Sequence, residues 1–371
     1  MTILLVNECE KDTILFKQYL HEMEIKHVWH YRTVEAAQAE LTEAQQMDVD
    51  VVVVNMDCTY ESRDQVYGNI ATLQQWIQAP IILITSYDTR ETIGGAFFAG
   101  IYDFMLKPVD FSYFKARLHI AIQYHSELRR RKLQEYNLQQ DLLIAKKVQK
   151  SALSPSLKLD WLQLDGFNRM SHTLGGDMYC WCKISEHTVS TVLYDVMGHG
   201  VASALVSMSI RSILREMMAQ SSDPVQVIQE LNRHIYELFA VEELDSFLVT
   251  AIYVQVDYKK RTIEYVNAAH PAGYLLSESH TLALTANTPI LGLLPSIKVQ
   301  KQTVALNERM RLVLYTDGLQ QQKGLIDGTY FQDYIKHDNN KDLQQFVTDY
   351  HLDTKAVSDD ISLVFLTISS G

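Results

Sequence analysis

Four short acidic motifs in the second half of the chain constrain its fold more than any other feature of the sequence. They are Gly175-Gly176-Asp177, Asp195-Val196-Met197-Gly198-His199-Gly200, Thr316-Asp317-Gly318 and Asp359-Asp360. The motifs lie beside apolar runs that predict β-strands, such as those that end at Tyr194 and Tyr315 and the one that begins at Ile361. Residues at strand ends can converge although they are far apart in sequence. The pattern therefore predicts one acidic site at the edge of a sheet.

Carboxylates gathered in one place repel each other and need a counter-ion. A bound divalent cation meets that need, and an all-oxygen ligand set favours Mg²⁺ or Mn²⁺ over Zn²⁺. Glycines beside the acids allow backbone carbonyls and water molecules to come close. For any single Asp-Gly pair a simple turn is the preferred interpretation. Four acidic motifs at strand ends, in this order along the chain, favour a metal site.

Residues 138–371 resemble the metal-dependent PPM (protein phosphatase 2C-like) phosphatases in their bacterial SpoIIE-type branch. The matching stretches are 175–179, 195–205, 267–271, 314–319 and 359–362. The resemblance implies an α+β domain at residues 156–371, in which two packed antiparallel sheets are flanked by helices. It also implies a serine/threonine phosphatase that depends on Mn²⁺ or Mg²⁺.

The resemblance implies a role for each acidic motif. Asp195 would bridge two metal ions, with the carbonyl of Val196 nearby. Asp317 and Asp359 would complete one metal site, and Asp177 would hold the other ion directly or through water. These four aspartates are the predicted catalytic residues. A two-metal centre activates water itself, so no cysteine or serine nucleophile is needed.

Three residues near these motifs are expected to have supporting roles, and other positions depart from the family pattern. His199 is expected to shape its loop, His270 to pack in the core, and Asp360 to support the site or cap a strand. Many family members have aspartate where Cys180 stands, and an acid where this chain has Gln320-Gln321-Gln322. These departures predict altered metal affinity or regulation rather than loss of catalysis.

The first 122 residues alternate strand and helix patterns and predict a doubly wound, flavodoxin-like α/β domain. The strand runs are Ile3–Val6, Val51–Val54, Ile81–Ile84 and Ile101–Leu106, with helical patterns at Lys11–Met23 and Val34–Gln46, and we expect five such units. Continuous β-branched runs are typical of a buried parallel sheet. The layout resembles a response-regulator receiver domain, with Thr85, Phe104 and Lys107-Pro108 at positions that the family uses.

The acidic site of this receiver-like domain is degenerate. Asn7-Glu8 stands where the family has an acidic pair, and Asn55 stands where it has the aspartate that accepts phosphate. A neutral amide does not act as a nucleophile towards a phosphoryl group. The sequence thus predicts a pseudo-receiver that serves as a dimerisation or docking surface, with only Glu8 left to hold Mg²⁺. The alternative is a conventional receiver in which Asp57 accepts the phosphate.

A helical connector, residues 123–155, joins the two domains. The chain from Phe111 to about Leu153 predicts one long helix. A heptad frame fits it, although Arg131 and Glu135 interrupt the frame with charge. A parallel dimeric coiled coil and a single helix packed on its own domains both remain open. Residues 141–155 resemble the segment that couples upstream regulators to SpoIIE-type phosphatase domains.

Composition narrows the functional class. The 371 residues carry a net charge of −12, from 33 basic and 45 acidic residues. This balance argues against general nucleic-acid binding and against anionic membrane surfaces. We expect no signal peptide, because the apolar run Ile3–Val6 is too short for one, and no apolar run has the length needed to span a membrane. Four cysteines are few, which suits a reducing cytoplasm.

The sequence therefore predicts a cytoplasmic, homodimeric phosphatase that its receiver-like domain and helix control. In the SpoIIE-type branch the usual substrate is a phosphorylated anti-sigma-factor antagonist. The alternative is a non-catalytic signalling scaffold, against which the retention of all four metal-motif aspartates argues. A receiver-containing transcription factor is disfavoured by the acidic charge and by the lack of a helix-turn-helix pattern.

Overall fold

The computed structural model describes residues 1–55, 63–87, 90–221, 223–240, 247–277, 280–306, 309–321, 342–354 and 357–369. The chain divides into two compact units, Met1–Leu138 and Gln139–Gly371. The boundary between these units falls inside the longest helix of the chain.

The N-terminal unit is built on one parallel sheet. Its strands are β1 (Thr2–Val6), β2 (His27–Tyr31), β3 (Val51–Asn55), β4 (Ile81–Thr85) and β5 (Asp103–Leu106), and its first five helices are α1 (Glu10–Glu22), α2 (Val34–Glu40), α3 (Glu43–Met47), α4 (Arg63–Trp76) and α5 (Arg90–Ala99). The strand order β2-β1-β3-β4-β5 is that of flavodoxin-like sheets. Alternate residues of β1 join separate apolar clusters, so both faces of the sheet are covered. This agrees with the predicted doubly wound α/β class.

Two details of this unit differ from the sequence prediction. The sequence does not predict the edge strand β2, because its His-Val-Trp-His-Tyr sequence is only partly buried and contains no aliphatic run. The single helix expected over 34–46 is two helices, since Leu41 is extended between them. Thr42 then starts α3 with a capping box in which Gln45 is the reciprocal partner.

The long helix is present as α6 (Phe111–Ala152), and its ends agree with the prediction. At about 1.5 Å per residue it is roughly 60 Å long. Phe114, Leu118 and Ala121 are fully buried in the N-terminal unit. Residues 128–141 are exposed, and Gln149 in the last turns is buried again. No helix in the described part of the chain has the length and apolar character needed to cross a membrane.

The described residues of the C-terminal unit form two antiparallel sheets. Its strands are β6 (Leu157–Lys158), β7 (Leu162–Arg169), β8 (Met178–Lys183), β9 (Thr188–Val196), β10 (Val249–Asp257), β11 (Thr262–Ala268), β12 (Gly273–Leu276), β13 (Thr281–Leu284), β14 (Gln302–Ala305), β15 (Met310–Tyr315) and β16 (Ile361–Ile368). One sheet has the order β14-β11-β10-β9-β8 and the other has the order β13-β12-β15-β16-β7-β6.

The two sheets pack face to face through an apolar cluster that both supply, with Leu193 and Ile252 from the first and Leu312 and Val364 from the second. Helices α7 (Val201–Gln220) and α8 (Pro224–Ala240) cover the outer face of the first sheet. A short helix, α9 (Leu343–Asp349), covers the second through Phe346. This is the arrangement of packed sheets flanked by helices that the sequence predicted.

Candidate metal centre

The acidic motifs meet at one end of the sandwich, where the two sheets come together. Asp195 is the penultimate residue of β9, and the pairing of Met178 with Tyr194 places Asp177 beside it. In the second sheet Asp317 follows β15 and Asp359 precedes β16. Asp195 thus lies inside its strand rather than after it. The structure brings all four predicted aspartates into one electrostatic group.

Asp177 links the two sheets from a buried position. Its side chain is 2% exposed, and the hydroxyl of Thr316 donates to it at 2.6 Å. The same hydroxyl oxygen accepts from the backbone N–H of Ser362 at 2.9 Å. Burial and then the charge of Asp195 raise the pKa of Asp177 well above its usual value. A carboxylate in this position resists ionisation unless a cation compensates it.

Asp195 is the electrostatic centre of the group. Burial, followed by the charges of Asp317 and Asp359, raises the pKa of Asp195 to about 6. Burial and the charge of Asp359 also raise the pKa of Asp317. Among the described residues, no lysine or arginine forms an ion pair with any of the four predicted aspartates. The negative charge of these aspartates therefore requires a cation other than a lysine or arginine side chain.

The oxygen donors around the aspartates fit Mg²⁺ or Mn²⁺. A Cβ on Gly176 would lie 2.6 Å from the carbonyl oxygen of Val196 and 3.3 Å from that of Gly198, so glycine keeps these carbonyls close to Asp177. Within the described residues no three His, Cys, Asp or Glu side chains are arranged to hold a metal by themselves. Hard cations often complete their coordination with carbonyls and water. The residues present therefore fit a cation that two carboxylates hold together with carbonyl and water ligands.

Asp360 organises the loop before Asp177. Its carboxylate is 4% exposed and accepts from the backbone N–H of Ser171 at 2.7 Å and of Gly176 at 2.8 Å. A Cβ on Gly175 would collide with this carboxylate. The supporting role expected for Asp360 agrees with these contacts, although the sequence did not indicate its partners.

Gln149 connects the end of α6 to the same loop. Its side chain is 2% exposed. Its Nε2 donates to the carbonyl of Gly175 at 2.6 Å, and its Oε1 accepts from the N–H of Gly175 at 3.3 Å. Gln149 is a position of the heptad frame, but that frame also contains Arg131 and Glu135. Its polar character alone therefore does not single it out in the sequence.

Gln321 belongs to the glutamine run that the sequence analysis marks as a departure from the family pattern, and it contacts two of the predicted metal ligands. Its Nε2 donates to Asp359 at 3.0 Å and to Asp317 at 3.5 Å. Its neighbour Gln320 donates to the hydroxyl of Tyr315 at 3.0 Å. The third glutamine of this run, at position 322, lies outside the described residues.

The two histidines near the motifs occupy different environments. His199 is exposed and stacks on His172, with ring centroids 4.4 Å apart. His270 is buried and forms a 2.8 Å hydrogen bond with the hydroxyl of Thr250. Burial lowers the pKa of His270 to about 3, so the ring is neutral. The packing role expected for His270 agrees with this position.

Residues of the degenerate receiver site form a hydrogen-bonded polar network. Nδ2 of Asn55 donates to Asn7 at 2.9 Å and to Asp12 at 2.8 Å, and Nζ of Lys107 contacts Asp12 at 2.7 Å. Burial acts to raise the pKa of Asp12, but the hydrogen bonds from Lys107 and Asn55 outweigh it and lower that pKa. Asp12, in α1, is not among the site residues that the sequence predicts. Glu8, the residue expected to hold Mg²⁺, is exposed.

Two further residues bear on this receiver-like site. The hydroxyl of Thr85, at the end of β4, accepts from the N–H of Tyr87 at 3.1 Å. Asp57, the alternative acceptor of phosphate, lies outside the described residues.

Comparisons with known proteins find a family match inside the C-terminal unit. The family model of Stage II sporulation protein E (SpoIIE) matches residues 185–369. Phosphoserine phosphatase RsbP of Bacillus subtilis (strain 168) is 36% identical over 184 residues, which are 49% of this chain and 46% of RsbP. Phosphoserine phosphatase RsbU of the same organism is 22% identical over 258 residues, which are 67% of this chain and 75% of RsbU.

A solved structure shows the same fold. The SiaA-PP2C domain of Pseudomonas aeruginosa superposes with a TM-score of 0.54 at 19% identity, covering 64% of this chain and 98% of that domain. At this identity the likeness concerns the fold alone.

Proposed function

Because the C-terminal half of this chain, residues 185–369, belongs to the SpoIIE family, we propose that the protein is a metal-dependent phosphatase that acts on phosphoserine or phosphothreonine in a partner protein. The observation that carries this proposal is the group of four aspartates at one end of the sandwich, which the described lysines and arginines leave without ion pairs. The phosphoserine phosphatase RsbP, 36% identical over the matched region, supports the same class of reaction.

The metal ligands in this proposal are the predicted aspartates. Asp195 would contact both ions, with the carbonyl of Val196 nearby, Asp317 and Asp359 would hold one of them, and Asp177 would hold the other directly or through water. Bound Mn²⁺ or Mg²⁺ would make water nucleophilic at neutral pH and neutralise the charge on the phosphoryl oxygens.

The side chains around the centre hold its geometry. The hydroxyl of Thr316 fixes the orientation of Asp177, and Asp360 fixes the loop that precedes it. Without cations the aspartates repel an anionic substrate as well as each other. The dependence of activity on metal therefore follows from the charge of the site as well as from the chemistry of the reaction.

The substrate that we propose is a phosphorylated anti-sigma-factor antagonist. Membership of the SpoIIE family and the match to RsbP support this substrate class. The net charge of −12 does not attract a phosphoprotein, so bound cations and local basic groups must offset it.

We also propose that the protein is a homodimer and that α6 contributes to the interface. Large apolar side chains are exposed along the second half of this helix: Leu133, Tyr136, Leu138, Leu143, Ile144 and Val148. Only Leu138 among them belongs to the predicted heptad frame. The other five lie on a different face of the helix, and a second copy of the chain would cover that face. The receiver-like unit would then act through α6, whose Gln149 touches the loop before Asp177.

The proposal is tested by measuring hydrolysis of an aryl phosphate and of a phosphoserine peptide by the full chain, with Mn²⁺ and with chelator. We expect turnover only with Mn²⁺, and its loss in Asp195→Asn but not in Asp160→Asn, whose side chain is exposed elsewhere in the unit. If Asp195→Asn and the wild type showed the same low turnover, the aspartates would not be catalytic. The non-catalytic signalling scaffold would then be favoured.

A further inference from the structure

A basic cavity lies in the C-terminal unit, against the middle of α7. Its cationic side chains are Lys183 at the end of β8 and Arg211 and Arg215 on α7, and residues 151–157 form another wall. The cavity has a volume of about 650 Å³. Cavities of roughly 300–1,000 Å³ are typical of small-molecule sites. The basic cavity is therefore large enough for a small ligand.

The described charged side chains that line this cavity are all positive. In the part of the chain that the structure describes, no aspartate or glutamate lines it. Arg211 and Arg215 are four residues apart on one face of α7, and Arg215 and Lys183 are exposed. Neither Arg215 nor Lys183 forms an ion pair with a described acid. Grouping these cations in a chain of net charge −12 creates a local field that attracts anions.

The wall opposite α7 is the segment that follows α6. Nε of Arg211 donates to the carbonyl of Ala152, the last residue of α6, at 3.0 Å. The backbone N–H of Trp181 donates to the hydroxyl of Ser154 at 3.1 Å, and its indole N–H donates to the carbonyl of Pro155 at 3.0 Å. An anion in the cavity would thus contact the segment that these hydrogen bonds already hold.

We propose that the basic cavity is a binding site for a small multivalent anion of the phosphate class, separate from the acidic metal centre. Guanidinium groups match phosphate oxygens in a bidentate geometry, and a lysine adds a point charge. Serine hydroxyls at positions 151, 154, 156 and 212 supply further polar groups along the walls. The bound anion braces residues 151–157 against α7.

The test is a calorimetric titration of the full chain with pyrophosphate in the presence of EDTA. Under these conditions the metal centre is a group of bare carboxylates that repels anions. The proteins compared are wild type, Lys183→Ala, Arg215→Ala and the matched control Lys298→Ala, whose side chain is exposed outside the cavity. We expect one site in the wild type. Each cavity variant should bind about tenfold more weakly, because it loses a hydrogen bond to a charged group.

A second readout locates the bound anion. Amide hydrogen exchange at residues 151–157 should slow when pyrophosphate is added to the wild type, and less so in Arg215→Ala. The proposal is overturned if pyrophosphate does not bind, if all four proteins bind it equally, or if residues 151–157 gain no protection. Neither readout involves turnover or metal, so failure here is distinct from failure of the proposed phosphatase activity.

Discussion

The side chain of Gln149 forms two hydrogen bonds with the backbone of Gly175, at 2.6 Å and 3.3 Å. Gln149 belongs to the last turns of a 42-residue helix, and Gly175 lies two residues before Asp177. A displacement of the helix end must therefore either break these bonds or move the loop. This contact is the structural basis for proposing that α6 controls the metal centre.

Replacing Gln149 with alanine should lower the activity and the stability together. The carbonyl of Gly175 would lose its partner in a buried place, which costs about 1–3 kcal/mol in the free energy of unfolding. We expect the Mn²⁺ concentration for half-maximal turnover to rise, because the loop that carries Asp177 loosens. Gln140→Ala, an exposed glutamine of the same helix, is the matched control. Wild-type metal dependence in Gln149→Ala would contradict the coupling.

Neutralising Asp195 should stabilise the metal-free protein while it abolishes turnover. The pKa of Asp195 is raised to about 6 in the folded state, so the metal-free fold loses stability as the pH rises from about 4 to about 6. Asparagine removes this penalty, which is on the order of 1–3 kcal/mol at pH 7. Thermal unfolding in EDTA should show a higher Tm for Asp195→Asn at pH 7, and no difference near pH 3.5.

Adding Mn²⁺ should reverse that order, because a cation that binds the native state stabilises the wild type by mass action. Asp160→Asn should follow the wild type in both conditions. A wild type that is the more stable protein in EDTA at pH 7 would show that repulsion among the carboxylates is not significant.

Gln321 should weaken metal binding relative to an acid at the same position. Its amide donates to Asp359 and Asp317, and a carboxylate there would instead add negative charge and an oxygen ligand. We expect Gln321→Glu to lower the half-maximal Mn²⁺ concentration by about tenfold, or roughly 1.4 kcal/mol. Gln320→Glu, which adds the same charge beside Tyr315, is the control. An equal change in both variants would assign the effect to net charge alone.

The receiver-like unit should not accept a phosphoryl group. Asn55 is an amide held by Asn7 and Asp12, and Lys107 is engaged by Asp12. Incubation of the full chain with acetyl phosphate should therefore leave its mass unchanged. A labile phosphoryl adduct on Asp57 would establish a conventional receiver and would contradict this prediction.

The sequence located the features that depend on local patterns. Buried aliphatic runs predicted β1, β3 and β4, and the acidic motifs beside strands predicted four aspartates that the fold brings together. The sequence does not predict the edge strand β2, because a partly exposed strand can have a mixed sequence without an aliphatic run. The sequence also does not predict the break before Thr42, because the apolar pattern continues through the residues of the capping box.

Long-range contacts account for the rest of what the sequence missed. Asp360 binds Gly176 across 184 residues, and Thr316 binds Asp177 across 139. Asp12 joins Lys107 across 95 residues. No spacing rule predicts such pairs, because they depend on how the sheets pack and not on any local periodicity.

If the four aspartates form one metal centre, Mn²⁺ must bind to the full chain, and its binding must depend on Asp195. Calorimetric titration of the full chain should be performed on wild type, Asp195→Asn and Asp160→Asn at pH 7.5. We expect saturable binding to the wild type, its loss or a weakening of at least about a hundredfold in Asp195→Asn, and no change in Asp160→Asn. Equal Mn²⁺ affinity in all three proteins would show that Asp195 does not belong to a metal centre.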